Sequence, residues 1–201
     1  RVTNLPPYLF AEIERKVAAR RAAGVDIISL GIGDPDLPTP PAIVAALQRA
    51  ATDPHTHQYP SNRGTAEFRT AVADYYERRF GVTLDPETEV VPLLGAKEGV
   101  AHIGLALLDP GDVCLAADPG YPVYTTGPLL ADATPVHLPL VPELSFQPDL
   151  TTLPADVLNR AKMLFLCYPN NPTGAVIEDD FFSRAVAFAA RHDVVVVHDN
   201  A

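Results

Sequence analysis

Asn170-Asn171-Pro172-Thr173-Gly174 and Asp199 are the residues of this chain best suited to chemistry. Each follows an apolar run that reads as a buried strand, Met163 to Tyr168 before the first and Val194 to Val197 before the second. A carboxylate that ends a run of four valines needs an ion pair, a helix cap or a ligand to be tolerated. Ligands of open α/β sheets bind outside the carboxyl ends of the strands, where both of these residues fall. An acceptor carboxylate beside an amide donor suits a planar heterocycle with a protonated nitrogen and a neighbouring oxygen.

Gly95-Ala96-Lys97-Glu98-Gly99 follows a strand-like run and opens a helix. The unpaired amides and the dipole of a helix N-terminus attract an anion, although a plain strand-to-helix turn fits the same residues. Gly95 permits close approach or positive φ, and Gly99 suits tight helix–sheet packing. Tyr121, after Asp118-Pro119-Gly120, has a ring that would either stack on a flat ligand or pack in the core. Tyr59 falls in a polar, irregular stretch where a solvated ring is the default. Pyridoxal 5′-phosphate has both the ring and the anionic tail for such a site. Gly31-Ile32-Gly33-Asp34-Pro35-Asp36 is rejected as a dinucleotide fingerprint, because the third glycine is missing and Pro35 breaks the following helix. The histidines show no metal-ligand spacing, so no metal is expected, and no Gly-x-Ser-x-Gly occurs.

The pattern of elements must position these residues. Strands are expected at 26–30, 88–94, 112–117, 134–138, 162–168 and 193–198. Helices are expected at 8–23, 41–51, 65–80, 96–108, 122–131 and 178–191, with Leu9, Ile13 and Val17 striping the first. From residue 88 onward strands alternate with helices, which implies βαβ crossovers and a mostly parallel sheet covered on both faces. The composition, 201 residues with 47% hydrophobic, is enough for a sizeable core. The formal charge of −10 falls mostly on the second half, an unfavourable surface for nucleic acid. No apolar run approaches the roughly 20 residues of a membrane span. Cys114 and Cys167 read as buried free thiols, and a cytoplasmic setting fits best.

Gly95 to Gly99, Asp118 to Pro122, Asn170 to Gly174 and Asp199 stand in the order and spacing of the class I/II, fold-type I aminotransferases that use pyridoxal phosphate. Asn171-Pro172-Thr173-Gly174 with an aspartate 28 residues after Asn171 carries most of this resemblance. Asn4 to Phe10 and Leu30 to Pro40 are similar to LL-diaminopimelate aminotransferases.

The resemblance implies a three-layer α/β/α large domain with a mostly parallel sheet over 41–201, cut short before its last strands and the C-terminal small domain. Residues 1–40 would form an N-terminal arm and the start of the small domain. It also implies roles. The amides of Ala96 and Lys97 would hold the phosphate, Tyr121 would stack on the ring, Asn171 would donate to the phenolic oxygen and Asp199 would pair with the ring nitrogen. Tyr59 would reach the site of a neighbouring subunit, making a homodimer with shared sites. Gly33 would meet the substrate carboxylate and Tyr8 would lie near the entrance. Ala96 stands where many relatives carry Ser or Thr. The Schiff-base lysine would follow Asp199 by about thirty residues, so the chain as it stands is expected not to transaminate. The implied reaction moves an amino group from an amino acid, LL-2,6-diaminopimelate foremost, to a 2-oxo acid such as 2-oxoglutarate. Alanine, aspartate or aromatic donors, and a non-catalytic effector-sensing domain of a regulator, are the alternatives.

Overall fold

A computed structural model describes all residues except 1, 2, 4, 6, 8, 32, 34, 178, 179 and 201. The chain forms two compact units, Pro7–Pro92 and Leu93–Ala201 with the first six residues.

The unit from Pro7 to Pro92 carries helices α1 (Leu9–Ala22), α2 (Pro41–Thr52) and α3 (Ala66–Phe80). Ile13 and Val17 of the expected stripe are half-buried. Thr65 caps α3 by accepting the Phe68 amide, and Gly81 ends it in the left-handed region at φ 68°. Arg69 of α3 is buried and fastens the chain around it. Its guanidinium donates to the carbonyls of Pro86, Arg63 and Gly64 and to Glu87 Oε1 at 2.7–3.0 Å. Gly64 is required beside it, since a Cβ there would lie 2.3 Å from the Pro92 ring.

The second unit is a three-layer α/β/α arrangement. Helix α4 (Ala96–Leu107) leads into β1 (Val113–Asp118), then α5 (Val123–Leu130) and β2 (Thr134–Pro139). A single turn, α6 (Ala155–Leu158), precedes β3 (Ala161–Cys167), and α7 (Phe181–His192) leads to β4 (Val195–Asp199). All pairings are parallel, in the order β2-β1-β3-β4. The direction of travel reverses between β1 and β3, so the chain has a topological switch point there. Pro135 and Pro139 are tolerated because β2 is an edge strand.

Alternation along the strands divides the core. Val113, Leu115, Leu164 and Leu166 pack with Phe181, Ala185, Phe188 and Ala189 of α7. Cys114, Ala116, Met163, Phe165 and Cys167 pack on the other face with Val100 of α4 and Val123 and Tyr124 of α5. Both central strands are buried on both faces, which explains their unbroken apolar runs. Each fully buried Leu, Phe or Met contributes about 1.5–3 kcal/mol. The two helices on the second face approach closely through glycines: a Cβ on Gly127 would lie 3.1 Å from the Ala101 carbonyl oxygen, and one on Gly104 would lie 3.4 Å from the Gly127 backbone.

Four of the expected strands are present and two are not. Residues 26–30 and 88–94 contain no strand. Most of their apolar side chains are exposed instead, Ile28 at 87%, Leu30 at 94% and Leu94 at 95%. An apolar run becomes a strand only with a hydrogen-bonding neighbour, and neither segment pairs with any described residue. Helix α7 begins at Phe181, with Asp180 as its N-cap residue; Asp179 lies outside the described residues.

Candidate functional site

The parallel register aligns the carboxyl ends of three strands. Asp118 ends β1, Cys167 ends β3, and Asp199 pairs with Cys167 at the end of β4. The segments 119–122 and 168–174 leave the sheet along this edge, so Tyr121, Asn171 and Asp199 share it. The peptide bonds Asp118–Pro119, Tyr168–Pro169 and Asn171–Pro172 are cis.

Side-chain parity decides where each group points. Asp199 shares its face with Val197 and Phe165, the face covered by α4 and α5, whereas His198 faces the side of α7. His198 lies edge-on to Phe182 at 4.9 Å, and its Nε2 is 3.1 Å from the Tyr168 carbonyl oxygen. Half-buried Asp199 accepts a 2.8 Å hydrogen bond at Oδ2 from the Tyr124 hydroxyl. Its Oδ1 has no partner among the described residues. The need for a partner at Asp199 is therefore met on one oxygen and left open on the other.

Tyr124 was not anticipated as a site residue. Its ring is 1% exposed and stacks on Phe165, with centroids 4.9 Å apart and planes 19° from parallel. Burial foremost, then the Cys167 thiol and the Asp199 carboxylate, push the phenol well above its ordinary range, so it stays protonated and donates. The one sequence signal was spacing: Tyr121 and Tyr124 are three apart at a helix start, so both rings turn to one side. Their centroids lie 6.0 Å apart, edge to face at 78°. Gly120 permits this turn, because a Cβ there would sit 2.3 Å from the Ala117 carbonyl oxygen.

On the same face, Gly95 precedes α4 at φ 91°. Glu98 Oε2 accepts from the Leu94 amide at 2.7 Å, and Ala96 and Lys97 form the first turn of α4, at the positive end of its dipole. The Lys97 ammonium lies 5.5 Å from the centre of the Tyr121 ring. Lys97, Tyr121, Tyr124 and Asp199 thus form one run of contacts from the start of α4 to the end of β4. The close approach at Gly99 is to the Leu93 side chain, 2.5 Å from a Cβ placed there, and not to the sheet.

Asn170 builds the turn that carries Asn171. Its Oδ1 accepts from the Thr173 amide and hydroxyl, its amide donates to Ala175 and its carbonyl accepts from Gly174. Its Nδ2 is buried without an acceptor among the described residues. Asn171 itself is exposed on that turn.

The remaining expected residues belong to the unit Pro7–Pro92 or lie outside the description. Tyr59 is fully exposed, Gly33 sits in a loop with open space where a Cβ would go, and Tyr8 lies outside the described residues. Among the described residues no cluster of His, Cys, Asp or Glu could hold a metal ion. No described helix is long and apolar enough to cross a membrane.

Residues 25–201 match the family model for class I and II aminotransferases. The chain is 54% identical over its whole length to an LL-diaminopimelate aminotransferase of Desulforudis audaxviator, covering 51% of it. It is 55% identical to the enzyme of that name from Syntrophobacter fumaroxidans, covering 52%. The chain spans about half the length of the curated relatives it matches. The apo-BacF structure from Bacillus subtilis superposes with a TM-score of 0.92 at 43% identity, over 98% of this chain and 50% of that one. A single mutant of aspartate aminotransferase from Thermus thermophilus gives 0.91 at 30% identity, over 99% and 52%.

Proposed function

This chain belongs to the class I and II aminotransferases, and on that premise we propose that it forms half of an enzyme that moves an amino group from LL-2,6-diaminopimelate to a 2-oxo acid such as 2-oxoglutarate. The donor assignment is supported by identities of 50% or more to several LL-diaminopimelate aminotransferases. The coenzyme is pyridoxal 5′-phosphate, which supplies an aldehyde for the amino group and a ring that accepts electron density.

The observation that carries this reading is Asp199 with one oxygen held and the other open, on the same edge as an aromatic ring and a helix start. In that frame the amides of Ala96 and Lys97 bind the phosphate, where the α4 dipole favours negative charge. Tyr121 lies against the ring and fixes its plane. Asn171 donates to the phenolic oxygen, and Asp199 Oδ1 accepts from the ring nitrogen and keeps its proton in place. The family resemblance further assigns the substrate carboxylate to the Gly33 backbone and the entrance to Tyr8, which lies outside the described residues. Tyr59 serves the site of a second subunit in a homodimer, a role its full exposure leaves open.

The proton-moving, Schiff-base lysine is not one of the three in this chain. Lys16 pairs with Glu12 within α1, and Lys162 pairs with Asp193 at the opposite, amino edge of the sheet. Lys97 stands at the phosphate end. We assign the lysine to a part of the protein beyond this chain. Free, buried Cys114 and Cys167 suit a reducing compartment, the cytoplasm.

The test is a donor screen of the intact protein with 2-oxoglutarate. LL-diaminopimelate is expected to outrun alanine, aspartate and tyrosine, and preference for another donor would overturn the substrate assignment. D199A should cut turnover by orders of magnitude; near-normal turnover removes Asp199 from its role.

A further inference from the structure

Resting on this reading of the coenzyme site, we propose that Tyr124 is a positioning residue that holds the Asp199 carboxylate in the orientation needed to meet the ring nitrogen. The two residues are 75 apart in sequence and come from different elements. Tyr124 lies in the first turn of α5, beyond β1, whereas Asp199 ends β4, with β3 between them in the sheet. The tyrosine ring crosses that interval by lying flat on Phe165 of β3, and its hydroxyl arrives beside Cys167 and Asp199 at the carboxyl edge.

The arrangement does three things to the carboxylate. It occupies Oδ2, so Oδ1 is the oxygen left for an incoming donor. It restrains both torsions of a short side chain, so the entropy of ordering that side chain is lost on folding and not on binding. It also ties the orientation of Asp199 to Tyr121, since the Tyr124 ring meets the Tyr121 ring edge-on. The residue proposed to set the plane of the coenzyme and the residue proposed to grip its far edge are thereby fixed to one another through a single buried side chain.

A buried tyrosine that merely packs would also send its hydroxyl to the nearest acceptor, so the experiment must separate packing from positioning. Y124F removes one oxygen and keeps the ring stacked on Phe165. In the intact protein stripped of coenzyme, pyridoxal 5′-phosphate is titrated into wild type, Y124F, D199A and the double variant, and the apo proteins are melted. Y124F is expected to weaken coenzyme binding roughly tenfold, the scale of one lost charge-assisted hydrogen bond, and to shift the visible absorption band of the bound coenzyme. Its apo melting temperature should stay close to wild type. In the D199A background Y124F should weaken binding no further. An equal loss with and without Asp199, or lower apo stability with unchanged binding, would overturn the proposal and leave Tyr124 a packing residue.

D199A alone reports on the underlying coenzyme reading, so wild-type affinity in that variant would refute the reading before the coupling is considered. Incorporating 3-fluorotyrosine at position 124 keeps ring, fold and bond but makes a stronger donor. It should move the absorption band even if Y124F folds poorly, and an unmoved band would overturn the proposal.

Discussion

Gly120→Ala tests the link from backbone geometry to the site. A Cβ at this position would lie 2.3 Å from the Ala117 carbonyl oxygen, 3.3 Å from the carbonyl carbon and 3.3 Å from Tyr124 Cδ2. The first distance is roughly 1 Å short of ordinary contact, and the opposing atom is backbone at the end of a buried strand. Relief therefore requires the segment 119–121 to move and not a side chain to swing aside. Overpacking of this kind costs about 1–3 kcal/mol, and the upper end applies because neither partner is flexible. That is a loss of up to about a hundredfold in the folding equilibrium. The displaced segment carries Tyr121, so coenzyme affinity should fall as well. Urea melts of the apo intact protein and coenzyme titrations measure the two effects. Gly31→Ala is the control, because its Cβ would meet only atoms at 3.8 Å, and it should be neutral within about 0.5 kcal/mol. A Gly120→Ala protein as stable as that control and binding coenzyme normally would refute the argument.

Arg69→Ala should destabilise the unit Pro7–Pro92 by about 2–3 kcal/mol, since three carbonyls and Glu87 lose their donor; unchanged hydrogen exchange over residues 63–90 would contradict this. The same region should loosen in acid. Hydrogen bonds from Arg69 hold Glu87 below its ordinary 4.5, and Thr88 with the Glu87 amide holds Asp85 below 3.8. Both groups have lower values folded than unfolded, so their contribution is complete above about pH 4.5 and is lost as the pH falls through the folded values. Protection factors in this unit, corrected for the intrinsic pH dependence of exchange, that did not fall below that pH would contradict the sign. Neither cysteine should react with a thiol reagent at pH 8 in the native protein: both are buried, and burial pushes the Cys114 thiol up to about 12. Rapid modification without denaturant would contradict that packing.

The four parallel strands were legible because their runs are apolar enough to be buried on both faces, and Gly81 and the Thr65 cap mark the ends of α3 in the sequence itself. The expected strands at 26–30 and 88–94 failed for the opposite reason. Their composition suits a sheet, but pairing is a property of a neighbour, which no local pattern supplies. Asp199, Tyr121 and the start of α4 were singled out on local signals, a charge after valines and a glycine before a helix, and the fold sets them along one run of contacts. The Tyr124–Asp199 hydrogen bond could not be, since it depends on β3 lying between two segments 75 residues apart. The buried Nδ2 of Asn170 belongs to the same class of feature, visible only once the turn is folded.

The central claim is that Asp199 Oδ1 is the acceptor for the ring nitrogen of a coenzyme lying against Tyr121. A crystal structure of the intact protein with pyridoxal 5′-phosphate bound tests it most directly. The ring nitrogen should stand about 2.7–2.9 Å from Oδ1, with Tyr124 still on Oδ2. A ring nitrogen facing any other group, or a coenzyme seated away from this edge of the sheet, would contradict it.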